Sequence, residues 1–292
     1  MREHRYDTIS FLSDYGLRDE FVGIVKGVIA DIAPHVRVID LTHEIPPFDV
    51  RAGSLALARC IAYVPTGIVL AVVDPGVGTS RRGVAVSVGS GRGVLIGPDN
   101  GLLSMGTALA GGADSAVVLN NPKYQLEAPG ATFAGRDIFA PAAAHLCNGV
   151  ALKELGDAVD PSLLLPGVVP LSRAEGDEII AEVTWIDRYG NCQLNVGPDD
   201  VVALGDRMSL TLTSPTGERS TRATGVVRNF NEIGGGIGLV VDSFGMLAIC
   251  IDRGSAADEL LIAVGDSVRL SSLSEPGGVT TNVQLRRGPA SQ

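Results

Sequence analysis

Residues 67–73 (Gly, Ile, Val, Leu, Ala, Val, Val) constrain the fold of this chain more than any other segment. The run is apolar, rich in β-branched residues and closed by Asp74-Pro75-Gly76. That pattern predicts a strand buried on both faces of a sheet, which needs helices to cover it. The first half supplies them. Residues 8–12 read as a strand and Ser13-Asp14-Tyr15-Gly16 as a turn. Asp19 is placed to cap a helix whose Phe21, Ile24, Val25, Val28 and Ile32 recur at helical spacing, ended by Pro34. A strand at 36–41, a Pro46-Pro47 turn and a small-residue helix at about 50–63 follow. Further strands are expected at 83–88, 93–96 and 116–119, and a helix at 139–147 with Pro141 in its first turn. Strands alternating with helices predict a layered α/β domain over 1–165.

The pattern then changes. Residues 161–170 are Pro-rich and 172–177 polar, so 166–177 reads as a linker. Beyond it, short β-rich segments at 179–186, 208–213, 224–227, 237–241, 247–251 and 267–270 are separated by Gly, Asp and Ser. They predict a small all-β domain over 178–292, barrel-like or a sandwich. Residues 284–292 read as a polar tail. Two domains agree with 292 residues at about 150 per domain.

Composition excludes several functions. The net charge is −10, and Lys26, Lys123 and Lys153 are the only lysines, which argues against a phosphate-backbone partner. No apolar run approaches the roughly 18 residues of a membrane span. The first seven residues lack the apolar core of a signal peptide. Cys60, Cys147, Cys192 and Cys250 form no Cys-x-x-Cys pair, as expected of reduced thiols in a cytoplasm. His4, His35, His43 and His145 form no metal-ligand pattern, so no metal is expected.

In an open α/β sheet, ligands lie outside the carboxyl ends of the strands. Three acidic loops fall at such ends: Ser13-Asp14-Tyr15-Gly16, Val73-Asp74-Pro75-Gly76-Val77-Gly78 and Gly97-Pro98-Asp99-Asn100-Gly101. A carboxylate beside glycines can approach a ligand closely and take both hydroxyls of a ribose; it can equally bond only its own turn. Arg81, seven residues after Asp74, can hold that carboxylate ionised and orient a water between them, or close the loop as a plain ion pair. Gly89-Ser90-Gly91-Arg92-Gly93 reads as a hairpin turn, since it lacks the following helix of a phosphate loop. Trp185, Phe48, Tyr189 and Phe230 can stack on a planar base or fill a core.

Taken in order, these motifs resemble the S-adenosyl-L-methionine (SAM) hydroxide adenosyltransferases, the adenosine-forming SAM hydrolases related to fluorinase and chlorinase. The resemblance rests on Phe11-Leu-Ser-Asp-Tyr-Gly16, the segment from Asp19 to Lys26-Gly27, Asp40-Leu-Thr-His-Glu-Ile45 and Phe48-Asp49-Val50. It continues through Val73-Asp-Pro-Gly-Val-Gly78, Gly97-Pro-Asp-Asn-Gly-Leu-Leu103 and Thr132-Phe-Ala-Gly-Arg-Asp-Ile-Phe-Ala-Pro141. In the second half it rests on Ile186-Asp-Arg-Tyr-Gly-Asn191 and Ser243-Phe-Gly245.

The resemblance implies an α/β domain, a β-barrel domain and a homotrimer, with SAM as substrate and no cofactor. SAM would lie between the first domain of one subunit and the second domain of its neighbour. Asp14 would grip the ribose, Asp19 would stand near the methionine end, and Asp187 and Ser243 would hold the methionine amine and carboxylate. Phe48, Tyr189 and Phe230 would line the nucleoside pocket, with Asn191 reading adenine. Phe244 stands where the halogenases have Arg. Asp74 and Arg81 match two members of a water-holding Asp–Arg–His set; in the halogenases the first of these positions is Tyr. The third position carries Ala134 instead of His. Alanine neither orients nor deprotonates water, so impaired hydrolysis is expected. The hydrolase-like surroundings favour an engineered knock-out at this position over a natural variant that works without the imidazole. A halogenase and a non-catalytic SAM- or adenosine-binding module are the alternatives.

Overall fold

A computed structural model describes residues 6–213, 217 and 219–273. The tail expected at 284–292 and the start of the chain at 1–5 lie outside the described residues. The chain divides into two compact units between Val169 and Pro170.

The first unit is built on one seven-stranded mixed sheet. Its strands are β1 (Thr8–Ser13), β2 (Arg37–Thr42), β3 (Ile68–Val72), β4 (Gly83–Val88), β5 (Gly93–Pro98), β6 (Ala113–Val118) and β7 (Ala158–Val159). They are ordered β2-β1-β3-β5-β4-β6-β7. β2, β1, β3 and β5 run parallel, while β4 pairs antiparallel with β5 and β6. Every residue of β3 is buried, as its unbroken apolar run requires.

Among the described residues this unit has four α-helices: α1 (Phe21–Ile32), α2 (Val50–Cys60), α3 (Ser104–Leu109) and α4 (Ala140–Cys147). Ile9, Phe11, Ile68, Leu70 and Val72 form one core with Val22, Val25 and Ile29 of α1 and Ala143 and Leu146 of α4. The alternation of β1 and β3 turns Leu12, Val69 and Ala71, also buried, the other way. α2 packs against α3, and Gly106 permits this, because a Cβ there would meet the Leu57 side chain at 2.8 Å. The chain leaves β1 for β2 on one side and returns to β3 on the other. That reversal opens a crevice at the carboxyl ends of β1 and β3.

The second unit holds β8 (Arg173–Glu175), β9 (Glu178–Ile186), β10 (Cys192–Leu194), β11 (Met208–Thr213), β12 (Arg219–Thr224), β13 (Val226–Val227), β14 (Gly238–Val241), β15 (Leu247–Cys250) and β16 (Ser267–Ser272), with a short helix α5 (Ala256–Leu260). The order is β12-β11-β16-β9-β10-β15-β14-β13, with β8 paired to β9. β12 and β13 stand at opposite ends of this order, yet only Gly225 separates them in the chain, so the sheet curls on itself. Val183, Leu194, Met208, Leu210, Leu239, Ile249 and Leu270 fill its interior. No helix among the described residues is long and apolar enough to cross a membrane.

Several elements differ from the sequence reading. Asp19 does not cap α1: Glu20 occupies that position in helical geometry without a side-chain cap bond, and Asp19 is exposed in the bend before it. The helix expected at 50–63 stops at Cys60, and the one expected at 139–147 is preceded by a π-helical turn, Gly135–Phe139. Part of the segment read as a linker is strand β8, turned back on β9 by Gly176 with φ +62°. The glycine-rich segment 89–93 is a hairpin turn, as expected, between antiparallel β4 and β5.

Candidate functional site

Asp14 and Asp74 follow neighbouring parallel strands and stand on either side of the crevice. The Asp14 amide donates to the Val72 carbonyl at 3.3 Å, and its carboxylate accepts the Phe48 amide at 2.9 Å. Phe48 makes that bond from a left-handed backbone, φ +69°, which costs a non-glycine residue about 1–2 kcal/mol. The Asp74 carboxylate receives two donors from Arg81, Nε to Oδ1 at 2.9 Å and Nη2 to Oδ2. The Arg81 guanidinium in turn lies 5.5 Å from the Phe139 ring centroid.

Burial raises the pKa of both carboxyls. For Asp14 it outweighs the Phe48 amide, and the Asp74 charge pushes in the same direction. For Asp74 it outweighs even the paired guanidinium. Each is therefore a stronger base than an exposed carboxylate.

The two carboxylates line one cavity of about 240 Å³ together with Tyr15, Phe21, Pro47, Phe48, Val77, Thr132, Phe133, Ala134 and Gly135. Ala134 is buried, at the mouth of the π-helical turn, a geometry frequent at functional sites. Asp14, Asp74, Phe48 and Ala134, all named in the sequence analysis, thus line one cavity. Tyr15 joins them, although it was not singled out.

A polar chain underlies the β1 loop. Ser13 Oγ meets His43 Nδ1 at 2.8 Å, His43 Nε2 lies 3.1 Å from Asp40 Oδ1, and Lys26 Nζ donates to Asp40 Oδ2 at 2.6 Å. The His43 carbonyl also accepts the Gly16 amide at 2.7 Å, and Ser13 Oγ accepts the Tyr15 amide at 3.3 Å. His43 is buried and fixes the Asp14 turn from below. Its role was invisible as one of four unpatterned histidines.

Tyr189, Asn191 and Phe230 line a second cavity, of about 690 Å³, in the second unit. Asp187 organises its rim: its carboxylate accepts from the amides of Tyr189 at 2.8 Å and Asn191 at 3.0 Å, and from Asn191 Nδ2 at 2.8 Å. Among the described residues, this leaves Asn191 its carbonyl oxygen and one N–H of the amide without a partner. Phe48, Tyr189 and Phe230 are 70%, 73% and 47% exposed, so none is a core residue.

Other expected residues stand apart. Asp99 is buried, paired with Arg82 and accepting the Leu165 amide at 2.8 Å; it borders a separate cavity of about 340 Å³. Its role is to tie down the 163–165 segment. Ser243 is exposed in a turn held by Asp242, whose Oδ1 accepts the amides of Phe244 and Met246.

The chain matches the family model for the SAM hydroxide adenosyltransferase N-terminal domain over residues 9–156 and that for the C-terminal domain over 181–269. The (R)-S-adenosyl-L-methionine hydrolase of Salinispora arenicola is 43% identical, over 90% of this chain and 97% of its own. That of Thermus thermophilus is 40% identical, over 90% and 98%. A fluorinase of Actinoplanes sp. is 30% identical over 68% of this chain and 74% of its own. The crystal structure of an uncharacterized conserved protein of Thermotoga maritima superposes with a TM-score of 0.81 at 32% identity, covering 90% of this chain and 99% of that one.

Proposed function

The chain belongs to the SAM hydroxide adenosyltransferase family, and from that membership we infer that it hydrolyses S-adenosyl-L-methionine to adenosine and L-methionine. A water oxygen bonds to C5′ as the C5′–sulfur bond breaks, and the bonding pair leaves on sulfur. The sulfonium departs as a neutral thioether, so the step calls for neither a general acid nor a cofactor. Catalysis then consists of placing and deprotonating one water in a site that excludes others.

The observation that carries this reading is the buried Asp74–Arg81 pair at the crevice that also holds Asp14. Asp74 takes the water proton, Arg81 steadies the developing hydroxide, and Asp14 takes the ribose hydroxyls. A carboxylate at this place repels halide, which disfavours halogenation. Asp19 serves the methionine end, Asp187 and Ser243 the amino-acid head group, and Phe48, Tyr189 and Phe230 flank the nucleoside. The free oxygen of Asn191 suits the adenine amine. We read the first unit as layered α/β and the second as barrel-like. The assembly is a homotrimer in which a neighbouring copy supplies the second-unit residues. The thiols of Cys147, Cys192 and Cys250, buried and pushed up to about 12, suit a reducing cytoplasm.

Ala134 slows this reaction, because the pocket lacks the imidazole of the hydrolases. It also favours a second reading, a SAM-binding module without turnover. Incubation with SAM and chromatographic separation of products decides between them. Equal amounts of adenosine and methionine establish hydrolysis, and a halogenated nucleoside formed with added chloride or fluoride marks a halogenase. Calorimetric SAM binding with no methionine release, even in the Ala134→His form, establishes the binding module.

A further inference from the structure

Tyr15 is packed as though its position mattered more than its comfort. Its ring stands edge-on to Phe11 and Phe133, with centroids at 6.4 and 5.7 Å, and against Phe21 at 5.6 Å. The hydroxyl rests on Gly135, where an added Cβ would come within 2.2 Å of Oη. Glycine at 135 therefore makes room for this one atom. Oη has no hydrogen-bond partner among the described residues, although the side chain borders the cavity shared by Asp14, Asp74 and Ala134. Tyr15 is half-buried beside that cavity, so its hydroxyl is available to bond a ligand or water there.

Burial and the charges of Asp14 and Asp74 push the phenol pKa above its ordinary value. Tyr15 therefore keeps its proton, and its oxygen offers lone pairs without carrying charge.

Resting on the hydrolytic reading above, we propose that Tyr15 is a further catalytic residue: Oη accepts one hydrogen of the attacking water while Asp74 accepts the other. With both hydrogens held, a lone pair of the water faces C5′. As the oxygen–C5′ bond forms, the C5′–sulfur pair passes to sulfur and the proton to Asp74, which releases it to solvent with the products. Tyr15 gains and loses no proton. The site thus retains water orientation where alanine has replaced the imidazole.

The test is Tyr15→Phe, which keeps the ring and removes one atom. Adenosine release, SAM and adenosine affinity by calorimetry, and melting temperature are measured for the unaltered chain and the variant. The expected result is a kcat lower by about tenfold or more, affinities within about twofold, and an undiminished melting temperature. In an Ala134→His background, the same substitution is expected to cost less than about threefold, since the imidazole then holds the water. An unchanged kcat overturns the proposal, and so does a loss shared equally between kcat and affinity. An unaltered chain that binds SAM but releases no adenosine, while its Ala134→His form does, overturns this inference alone; SAM binding without adenosine release in both forms overturns the hydrolytic reading itself.

Discussion

Arg81 holds Asp74 through two roughly parallel donors, yet burial still leaves the carboxyl pKa above its ordinary value. On the proposed reading, water activation needs the ionised carboxylate, so hydrolysis is expected to be lost as pH falls through that raised pKa. Removing the cation in Arg81→Met takes away the main influence lowering it. The acid limb of the kcat/KM profile is expected to move to higher pH, and a limb that stays in place contradicts the pairing described here.

Asp74→Asn keeps the shape of the pair but cannot accept a proton. A loss of about 10²–10⁴-fold in adenosine release is expected, as for other general bases. Product chromatography over long incubations measures it, with SAM binding by calorimetry as the control.

Restoring an imidazole at the mouth of the π-helical turn works in the other direction. Ala134→His is expected to raise adenosine release by about 10²-fold or more, measured under saturating SAM. An unimproved rate would sink the assignment of this position to the water.

Asp14 carries a stability consequence. Its folded pKa is raised above the unfolded value, so its favourable contribution is present below the unfolded pKa and disappears as pH rises through the folded one. At neutral pH the charge is a cost. Asp14→Asn retains an acceptor for the Phe48 amide, so it is expected to melt higher than the parent at pH 7 and level with it near pH 3, while SAM affinity falls. Thermal melts at both pH values check the sign.

His43→Ala removes the support of the same turn and leaves Ser13 Oγ without its ring partner. The expected loss is about 1–3 kcal/mol in denaturant unfolding. An added rise in KM for SAM is expected, because the Asp14 turn loses its anchor.

Long apolar runs made the first sheet legible: β3 could only be a doubly covered strand, and its closing Asp74 then fell at a carboxyl end. The Asp74–Arg81 pairing followed from seven-residue spacing across a glycine loop. The second unit was harder to read. β10 is three residues long, β12 is Arg- and Thr-rich with polar side chains on both faces, and α5 is a single turn capped by Ser255, so none carries a periodic signal. His43 and Tyr15 were missed because their importance lies in what they pack beneath and against, which no local pattern encodes. Asp99 shows the converse: it shares the glycine-flanked setting of Asp14, but Arg82 and the Leu165 amide claim its oxygens.

The left-handed bend at Phe48 joins two tasks in one residue. Its amide aims the Asp14 carboxylate while its ring projects into solvent beside the same opening. On the proposed reading, a nucleoside that slides under the ring would tug, through a single peptide unit, on the group proposed to grasp its sugar. Arrival of the base and alignment of the ribose would then be mechanically linked, and a smaller side chain at position 48 would uncouple them.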